Sequence, residues 1–519
     1  MKQFLQNFKI DRFKVQLSHL SFCLIYSVIS YIIYNAFTIN KIVKWFYIKG
    51  EYDYLGLGAY YLVGLSLSIA VFVLVAHRWT IKPFAIFFTI MSGMATYFIV
   101  KYDVAIDLSM LENALNTDPT EVRGLLSIQM IPYILFLIIL PIIGIYLVDI
   151  QFQSKARYLI RSVSVFVGSI ILALVLLYAQ FNPIHRAGNM SRKYIVYQLT
   201  PVNHMQSMIG MIQYKIQGLL PDETDKSIRL TANTTKPDED LIVVLVVGES
   251  ARQKNFNLYG YTRKNTNPML SKVKDLHALN GVAKYGSTLY ALPEILKKQD
   301  VSIATVSAAA GIQTACYSHF SLYDNCGTVD QIRVSNCKYG DDCYDEDVLP
   351  LLKNNLQTYM DGYRFIVLHL GGGSHGPNYQ KRIPEYYYRF LPLCDDADVI
   401  NECTENELYN SYDNTILYTD YVLANIIKEL DDSGAPYVFI YVSDHGESLM
   451  EEDRVFHGMP PGVPLPPEQK HVPLIVKSSI PITILDSDEY SQPDVFDSVL
   501  DLLSIETNIS DKGGSFLKK

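Results

Sequence analysis

Val246-Val-Gly-Glu-Ser-Ala-Arg-Gln-Lys-Asn-Phe-Asn-Leu-Tyr-Gly-Tyr261 closes an apolar run that begins at Leu241 and leads into a turn-rich segment. The run predicts a buried strand that stops on Glu249. Far downstream, Tyr437-Val-Phe-Ile-Tyr-Val-Ser443 breaks off in the same way at Asp444-His445-Gly446-Glu447-Ser448. Two apolar strands therefore deliver carboxylates and an imidazole where their backbones leave the sheet, which is where an open α/β sheet keeps its chemistry. Two oxygen ligands and one nitrogen ligand at strand ends suit Zn²⁺, with a fourth position left for a nucleophile or substrate.

Around these two strands the order is strand, loop, helix, strand, repeated. Strands are expected near 241–247, 301–306, 363–370, 436–442 and 472–476, and helices near 267–275, 293–299 and 406–431. The last helix carries Leu408, Tyr412, Ile416, Leu423, Ile426, Ile427 and Leu430 on one stripe, with Thr419 in the intervening turn, and should bury that stripe against the sheet. Residues 240–519 thus read as an α/β domain with a largely parallel sheet.

Residues 1–181 have a different composition. The chain of 519 residues is 49% hydrophobic, and the excess lies in its first third. Five apolar segments, near 17–39, 58–76, 84–100, 127–149 and 162–181, are long enough or nearly so to cross about 30 Å of hydrocarbon. Lys2, Lys9, Arg12 and Lys14 precede the first, Arg78 and Lys82 follow the second, and Lys155, Arg157 and Arg161 follow the fourth. The positive-inside rule places all three clusters in the cytoplasm, so that everything after Phe181 lies outside. No small-residue cleavage pattern follows the first span, which argues against a cleavable signal peptide. The outer loops 41–57, rich in aromatics, and 109–116, an expected short amphipathic helix, suit the lipid–water interface. Residues 182–239 are expected to be a bridging segment, with an interfacial helix around 204–217 and a polar linker over 221–239. The net charge of -9 gives no support to a nucleic-acid role.

Cysteine usage agrees with this placement. Cys23 lies in the first span, and the other six, Cys316, Cys326, Cys337, Cys343, Cys394 and Cys403, fall in the domain expected outside. An even number there predicts disulfides, and the short loops suggest 316–326, 337–343 and 394–403.

Two more histidines stand beside glycines after predicted strands: His375 in Gly-Ser-His375-Gly-Pro and His457 in Phe-His457-Gly. With Val-Gly-Glu249-Ser-Ala-Arg, Asn-Phe-Asn-Leu-Tyr-Gly-Tyr and Asn-Pro, Tyr409-Asn-Ser-Tyr412-Asp-Asn-Thr, Asp444-His445-Gly-Glu-Ser, Pro-Pro-Glu468-Gln and Val-Pro-Leu, the chain resembles the lipid-directed phosphoethanolamine transferases. These are membrane members of the alkaline phosphatase and sulfatase superfamily. The resemblance covers almost the whole chain. It implies a five-helix N-terminal transmembrane domain, a bridging segment, and an alkaline-phosphatase-like (sulfatase-like) α/β domain in the periplasm of a bacterial inner membrane protein.

The resemblance also implies roles. Glu249, Asp444 and His445 would bind the catalytic Zn²⁺, and His375 and His457 would face the substrate phosphate or a second metal. Glu447 would receive the ethanolamine ammonium. A threonine about forty residues after the glutamate would be both nucleophile and metal ligand, and Thr288, 39 residues after Glu249, has that spacing. The implied reaction moves phosphoethanolamine from phosphatidylethanolamine to lipid A or the lipopolysaccharide core through a phosphorylated threonine. Two departures stand out. Lys284-Tyr-Gly-Ser-Thr-Leu-Tyr-Ala-Leu-Pro293 lacks the cysteine that normally precedes the threonine and is shortened before the next helix, and Ala304-Thr-Val-Ser-Ala-Ala-Ala-Gly311 replaces polar head-group contacts. Ser287 as nucleophile, a phosphoglycerol transferase of the same superfamily, and an inactive lipid-binding relative are the alternatives these departures leave open.

Overall fold

The computed structural model describes residues 14–519 apart from 49, 103, 108–109, 111–127, 153, 191–196, 220–229, 236–238, 320–325, 335–343, 359–361, 372–373, 375, 377–378, 395–398 and 511–512. The chain forms two compact units that change over at Leu219.

The first unit is built on five apolar helices long enough to span a bilayer: His19–Trp45 (α1), Tyr54–Val75 (α2), Ile81–Tyr102 (α3), Met130–Leu147 (α4) and Ala156–Ala179 (α5). Val15–Ser18 and Val148–Gln151 pair in parallel, so the entry to α1 and the exit from α4 lie at one end of the bundle, as the basic flanks predict. Phe22, Cys23, Phe72, Val73, Ala85 and Phe88 form a core between the helices. Tyr26 donates to the Ala85 carbonyl at 2.9 Å and Tyr34 to that of Leu137 at 2.8 Å, which satisfies buried hydroxyls in an apolar bundle. Phe181–Met190 (α6) and Val202–Leu219 (α7) complete the unit, so the helix expected around 204–217 is present. The helix expected over 109–116 lies, but for Met110, outside the described residues.

The second unit is organised on an eight-stranded sheet. Its strands in chain order are Leu241–Gly248 (β1), Leu276–Val282 (β2), Gln313–Ser318 (β3), Gln331–Arg333 (β4), Tyr363–His369 (β5), Tyr437–Ser443 (β6), His471–Ser478 (β7) and Tyr490–Ser491 (β8). The spatial order is β4-β3-β5-β1-β6-β7-β2-β8, and only β7 runs against the rest. Every residue of β1, β5 and β6 is buried, which is why these three read as continuous apolar runs. Glu405–Ser433 is one helix (α11 in the order given below), started by a Thr404–Glu407 capping box and ended at Gly434 in the left-handed region. Its predicted stripe is buried throughout.

Three local expectations are corrected. Over 301–306 the strand ends after Ser302, whose hydroxyl accepts the Thr305 N–H at 3.0 Å and starts a helix, Ile303–Ala309; the strand of that region is β3. Over 267–275 only a short 3₁₀ turn, Leu270–Lys272, forms, because both Asp420 carboxylate oxygens capture the Met269 and Leu270 N–H groups, and β2 follows. The helix expected near 293–299 spans Thr288–Leu296, with Pro293 inside it. It starts early because the Ser287 carbonyl accepts from both Tyr290 and Ala291. The α/β helices are therefore Thr288–Leu296 (α8), Ile303–Ala309 (α9), Val348–Gln357 (α10), α11 and Gln492–Leu502 (α12). Cys316–Cys326 and Cys394–Cys403 are disulfides, as their spacing suggested, and Cys337 and Cys343 lie outside the described residues.

Asn414, fully buried on α11, holds the chain before Cys394: its Oδ1 accepts the N–H groups of Arg389 and Phe390 at 2.9 and 2.8 Å, and its Nδ2 donates to the Phe390 carbonyl at 2.9 Å. Asn414→Ala leaves these backbone groups without their partner, at a cost of about 2–4 kcal/mol. A thermal midpoint lowered by several degrees in the detergent-purified protein is the expected result.

Candidate active site

β1 and β6 pair in parallel with Gly248 opposite Ser443, so Glu249 and Asp444 leave the sheet side by side. Ser250 follows in the left-handed region, at φ 57°. That turn lets its N–H reach Asp444 Oδ1 at 2.9 Å and its hydroxyl reach Glu249 Oε1 at 2.7 Å. From α12, Gln492 Nε2 donates to the carbonyls of Ser443, at 2.8 Å, and Asp444, at 2.5 Å, pinning the end of β6 from behind. Gly446 is required by close approach: a Cβ there would run into the Glu468 carbonyl and come within 2.9 Å of Arg252 Cβ.

Thr288, first residue of α8, points its hydroxyl into this turn. Its Oγ1 lies 3.0 Å from Glu249 Oε2 and 3.3 Å from His445 Nε2. His445 Nε2 is in turn 3.6 Å from Glu249 Oε1 and 3.2 Å from Asp444 Oδ2. The His457 ring lies 4.2 Å from that of His445, and Glu249, His445 and His457 each offer a ligand atom within 4.8 Å of the others.

These residues fit a cation. His445 Nδ1 faces the Gly446 carbonyl at 3.1 Å, and a carbonyl can only accept, so Nδ1 carries a proton and Nε2 offers a lone pair whenever the ring is neutral. Asp444 Oδ2 is buried without a hydrogen-bond donor and faces that lone pair. Acceptors aimed at each other in a buried pocket need a positive centre between them. The electrostatics agree. Burial, then Asp444, raises the Glu249 carboxyl above its ordinary value. Burial alone would lower His445, but Asp444 and Glu249 hold it above its usual range. Burial, then His445, pushes His457 down to about 3.

Comparison with known proteins separates the two units. A sulfatase family profile matches residues 242–505, and the profile "Phosphoethanolamine transferase EptA/EptB" matches 65–216. Phosphoethanolamine transferase EptA of Helicobacter pylori is 31% identical over 437 residues, 78% of this chain and 76% of the relative. Phosphatidylethanolamine transferase Mcr-1 of Escherichia coli is 30% identical over 454 residues, 79% and 81% of the two chains. The solved integral membrane lipooligosaccharide phosphoethanolamine transferase A of Neisseria meningitidis superposes with a TM-score of 0.81 at 25% identity, covering 97% of this chain and 98% of its own. The chain belongs to the lipid A phosphoethanolamine transferase family. It is a multi-pass membrane protein and a transferase.

Of the residues singled out in the sequence, the structure brings Glu249, Thr288, Asp444, His445 and His457 together; His375 lies outside the described residues. Glu447 stands behind His457. It is fully buried, and its carboxylate meets His457 Nδ1 at 2.9 Å and the Gly376 N–H and Tyr379 hydroxyl at 3.3 Å each. Burial raises it to about 8 despite nearby His445 and the Gly376 N–H. Tyr379 and Gln492 were not singled out in the sequence, and neither belongs to a quoted motif.

The signatures around Glu249, Asp444 and His445 serve mainly as scaffold. The Arg252 guanidinium is fully buried between the rings of Tyr409 and Tyr412, donates to the Glu447 carbonyl at 3.1 Å and pairs with Glu451 at 2.8 Å. Tyr412 accepts the Arg252 N–H and donates to the Ser250 carbonyl, both at 2.8 Å. Asp413 gathers Asn255, Tyr261 and Arg263.

Two predictions follow from this geometry. Gly446→Ala should abolish metal retention, read by elemental analysis, because the strand end must shift away from Glu468. Glu451 is the second case: burial would raise its carboxyl, but the Arg252 guanidinium outweighs it and holds it down to about 2. Its folded value is below the unfolded one, so its stabilisation is complete above pH about 4.5 and is lost as pH falls towards 2. Glu451→Gln should lower the thermal midpoint at pH 7 and flatten the acid dependence below pH about 4.5.

Proposed function

We propose that the protein transfers phosphoethanolamine from phosphatidylethanolamine to lipid A or the lipopolysaccharide core, on the periplasmic side of a bacterial inner membrane, with Thr288 as nucleophile. The observation that carries this reading is the Thr288 hydroxyl held between Glu249 Oε2 and His445 Nε2. The membrane helices and the relatives' named activities support the lipid donor and acceptor.

Glu249, Asp444 and His445, with Thr288, would hold Zn²⁺, and His457 adjoins them. When bound, the ion supplies Lewis-acid polarisation and lowers the pKa of the coordinated hydroxyl. The chain's own groups do the rest. Thr288 Oγ1 releases its proton along the bond to Glu249 and attacks phosphorus; the bond from phosphorus to the diacylglycerol oxygen breaks, and that oxygen leaves as diacylglycerol after taking up a proton. An acceptor oxygen then attacks the same phosphorus, loses its proton, and the Thr288 Oγ1–P bond breaks with return of a proton to Thr288. Glu447 orients His457 and excludes water behind it.

Incubation of the detergent-purified chain with zinc and phosphatidylethanolamine should put a phosphoethanolamine adduct on the Thr288 peptide, read by mass spectrometry. Thr288→Ala should lose the adduct and at least about a thousandfold of the transfer rate. An unmodified wild-type protein with zinc bound and lipid intact overturns the reading.

A further inference from the structure

Gln469, the last residue of the signature Pro466-Pro-Glu-Gln469, is buried two residues ahead of β7. Its place follows from the topology. β7 runs against the rest of the sheet and lies between β6 and β2. It therefore begins at the edge where those two strands end, one leading into Asp444 and His445 and the other into the turn of Thr288. A residue just before β7 can reach both, and Gln469 does. Its carbonyl accepts the Gly446 N–H at 2.9 Å, and that of Lys470 accepts the Ala283 N–H at 2.8 Å. A Cβ on Gly286 would lie 2.8 Å from Gln469 Oε1, so the turn that carries Thr288 rests against the amide.

The amide also holds a third segment, and that one is strained. Nε2 donates to Ser448 Oγ at 2.9 Å and to the Phe456 carbonyl at 3.1 Å, and since a carbonyl only accepts, this fixes which way the amide points. Phe456 and Ser448 face each other in a short antiparallel ladder. Phe456 has φ 67° and Gly458 φ 107°, so His457 is carried between two left-handed residues. Glycine takes that conformation freely, whereas a phenylalanine does so at a cost in free energy and stays there only when its surroundings impose it. Two ties impose it. Gln469 Nε2 holds the carbonyl before His457, and the Gly286 carbonyl holds the Gly458 N–H after it, at 2.8 Å. Both depend on Gln469, because Gly286 lies against its amide oxygen.

Resting on the transferase reading, we propose that Gln469 is a positioning residue that sets the separation of His457 from the Thr288 hydroxyl by clamping the loop of one to the turn of the other. The His457 ring lies 4.2 Å from that of His445, whose Nε2 is 3.3 Å from Thr288 Oγ1. Glu447 holds the His457 ring through Nδ1 at 2.9 Å, whereas Gln469 holds the backbone that carries it. Released from the amide, Phe456 relaxes towards negative φ and His457 moves with it. Glu249 and Asp444 stay where β1 and β6 put them.

Gln469→Met fills nearly the same space, keeps the backbone carbonyl for Gly446 and removes the donor. In full-length protein purified in detergent with zinc, it should slow formation of the Thr288 adduct from phosphatidylethanolamine by roughly 30- to 100-fold, the scale of a misplacement of about 1 Å. Zinc content should not change. Hydrogen–deuterium exchange should rise in the peptide that holds Phe456 to Gly458 and not in the one that holds Asp444 to Gly446. Added to His457→Ala, Gln469→Met should cost less than about 3-fold more, because both act on the same contact. Ser448→Ala, which frees one side of the amide only, should show the same local exchange with a loss of roughly 3- to 5-fold, and it decides the matter if Gln469→Met does not fold. Four results overturn the proposal: an undiminished wild-type rate, a loss that multiplies in full on His457→Ala, exchange that rises evenly across the domain, or loss of zinc. Wild-type protein that forms no adduct sinks the transferase reading instead, and the exchange pattern then still decides whether Gln469 clamps the His457 loop.

Discussion

The structure depends on two carboxylates and an imidazole being carried out of a dry sheet at the same point. β1 and β6 are buried along their whole length, and their register leaves Glu249 and Asp444 adjacent. Two like charges side by side in a dry core repel each other strongly. Neither side chain can turn to solvent, since the backbones that carry them are locked into the core. A positive centre would relieve the conflict, and the surrounding polar groups are arranged to leave room for one. Ser250 and the His445 N–H take the outer lone pairs, while Asp444 Oδ2 and His445 Nε2 stay directed inward.

This constraint explains which parts of the sequence could be read. The strands that deliver Glu249 and Asp444 are continuous apolar runs because both faces are covered, and the two carboxylates interrupt them abruptly. β2 was missed because Leu276-His-Ala-Leu-Asn-Gly-Val282 is mostly only partly buried and carries polar residues. Residues 301–306 misled for the opposite reason. Val301, Ile303 and Val306 look strand-like, yet a single Ser302 hydroxyl decides the backbone by capping a helix. Thr288 was reached by spacing alone. Its partner Glu249 is 39 residues away, and nothing local to the threonine marks it. Tyr379 and Gln492 were illegible because each acts through one contact distant in sequence, with no periodic or motif signal.

The polar run Tyr409–Thr415 lies on a buried helix because its side chains hold loops on more than one side of it. Tyr412 and Asp413 hold the turn that follows Glu249, whereas Asn410, Ser411 and Asn414 hold the chain from Phe390 to Cys394. Thr415 meets Ser374 at 3.0 Å, one residue before His375. One stretch of helix thereby fixes three loops. Buried polar side chains are tolerated there because nearly all of them are satisfied by backbone groups that would otherwise be orphaned. A signature of this kind reports the placement of a site more than contact with its substrate.

What holds Thr288 is the point at which its helix begins. With Thr288 as its first residue, the hydroxyl is fixed by a turn that the Ser287 carbonyl closes twice, so no flexible stretch separates it from the helix. One residue further back, the Gly286 carbonyl accepts the Gly458 N–H at 2.8 Å, tying this turn directly to the loop that carries His457. Gln469 Nε2 fastens that loop again through the Phe456 carbonyl at 3.1 Å. Thr288 and His457 are thus referenced to each other across the mouth of the site rather than through the length of chain between them.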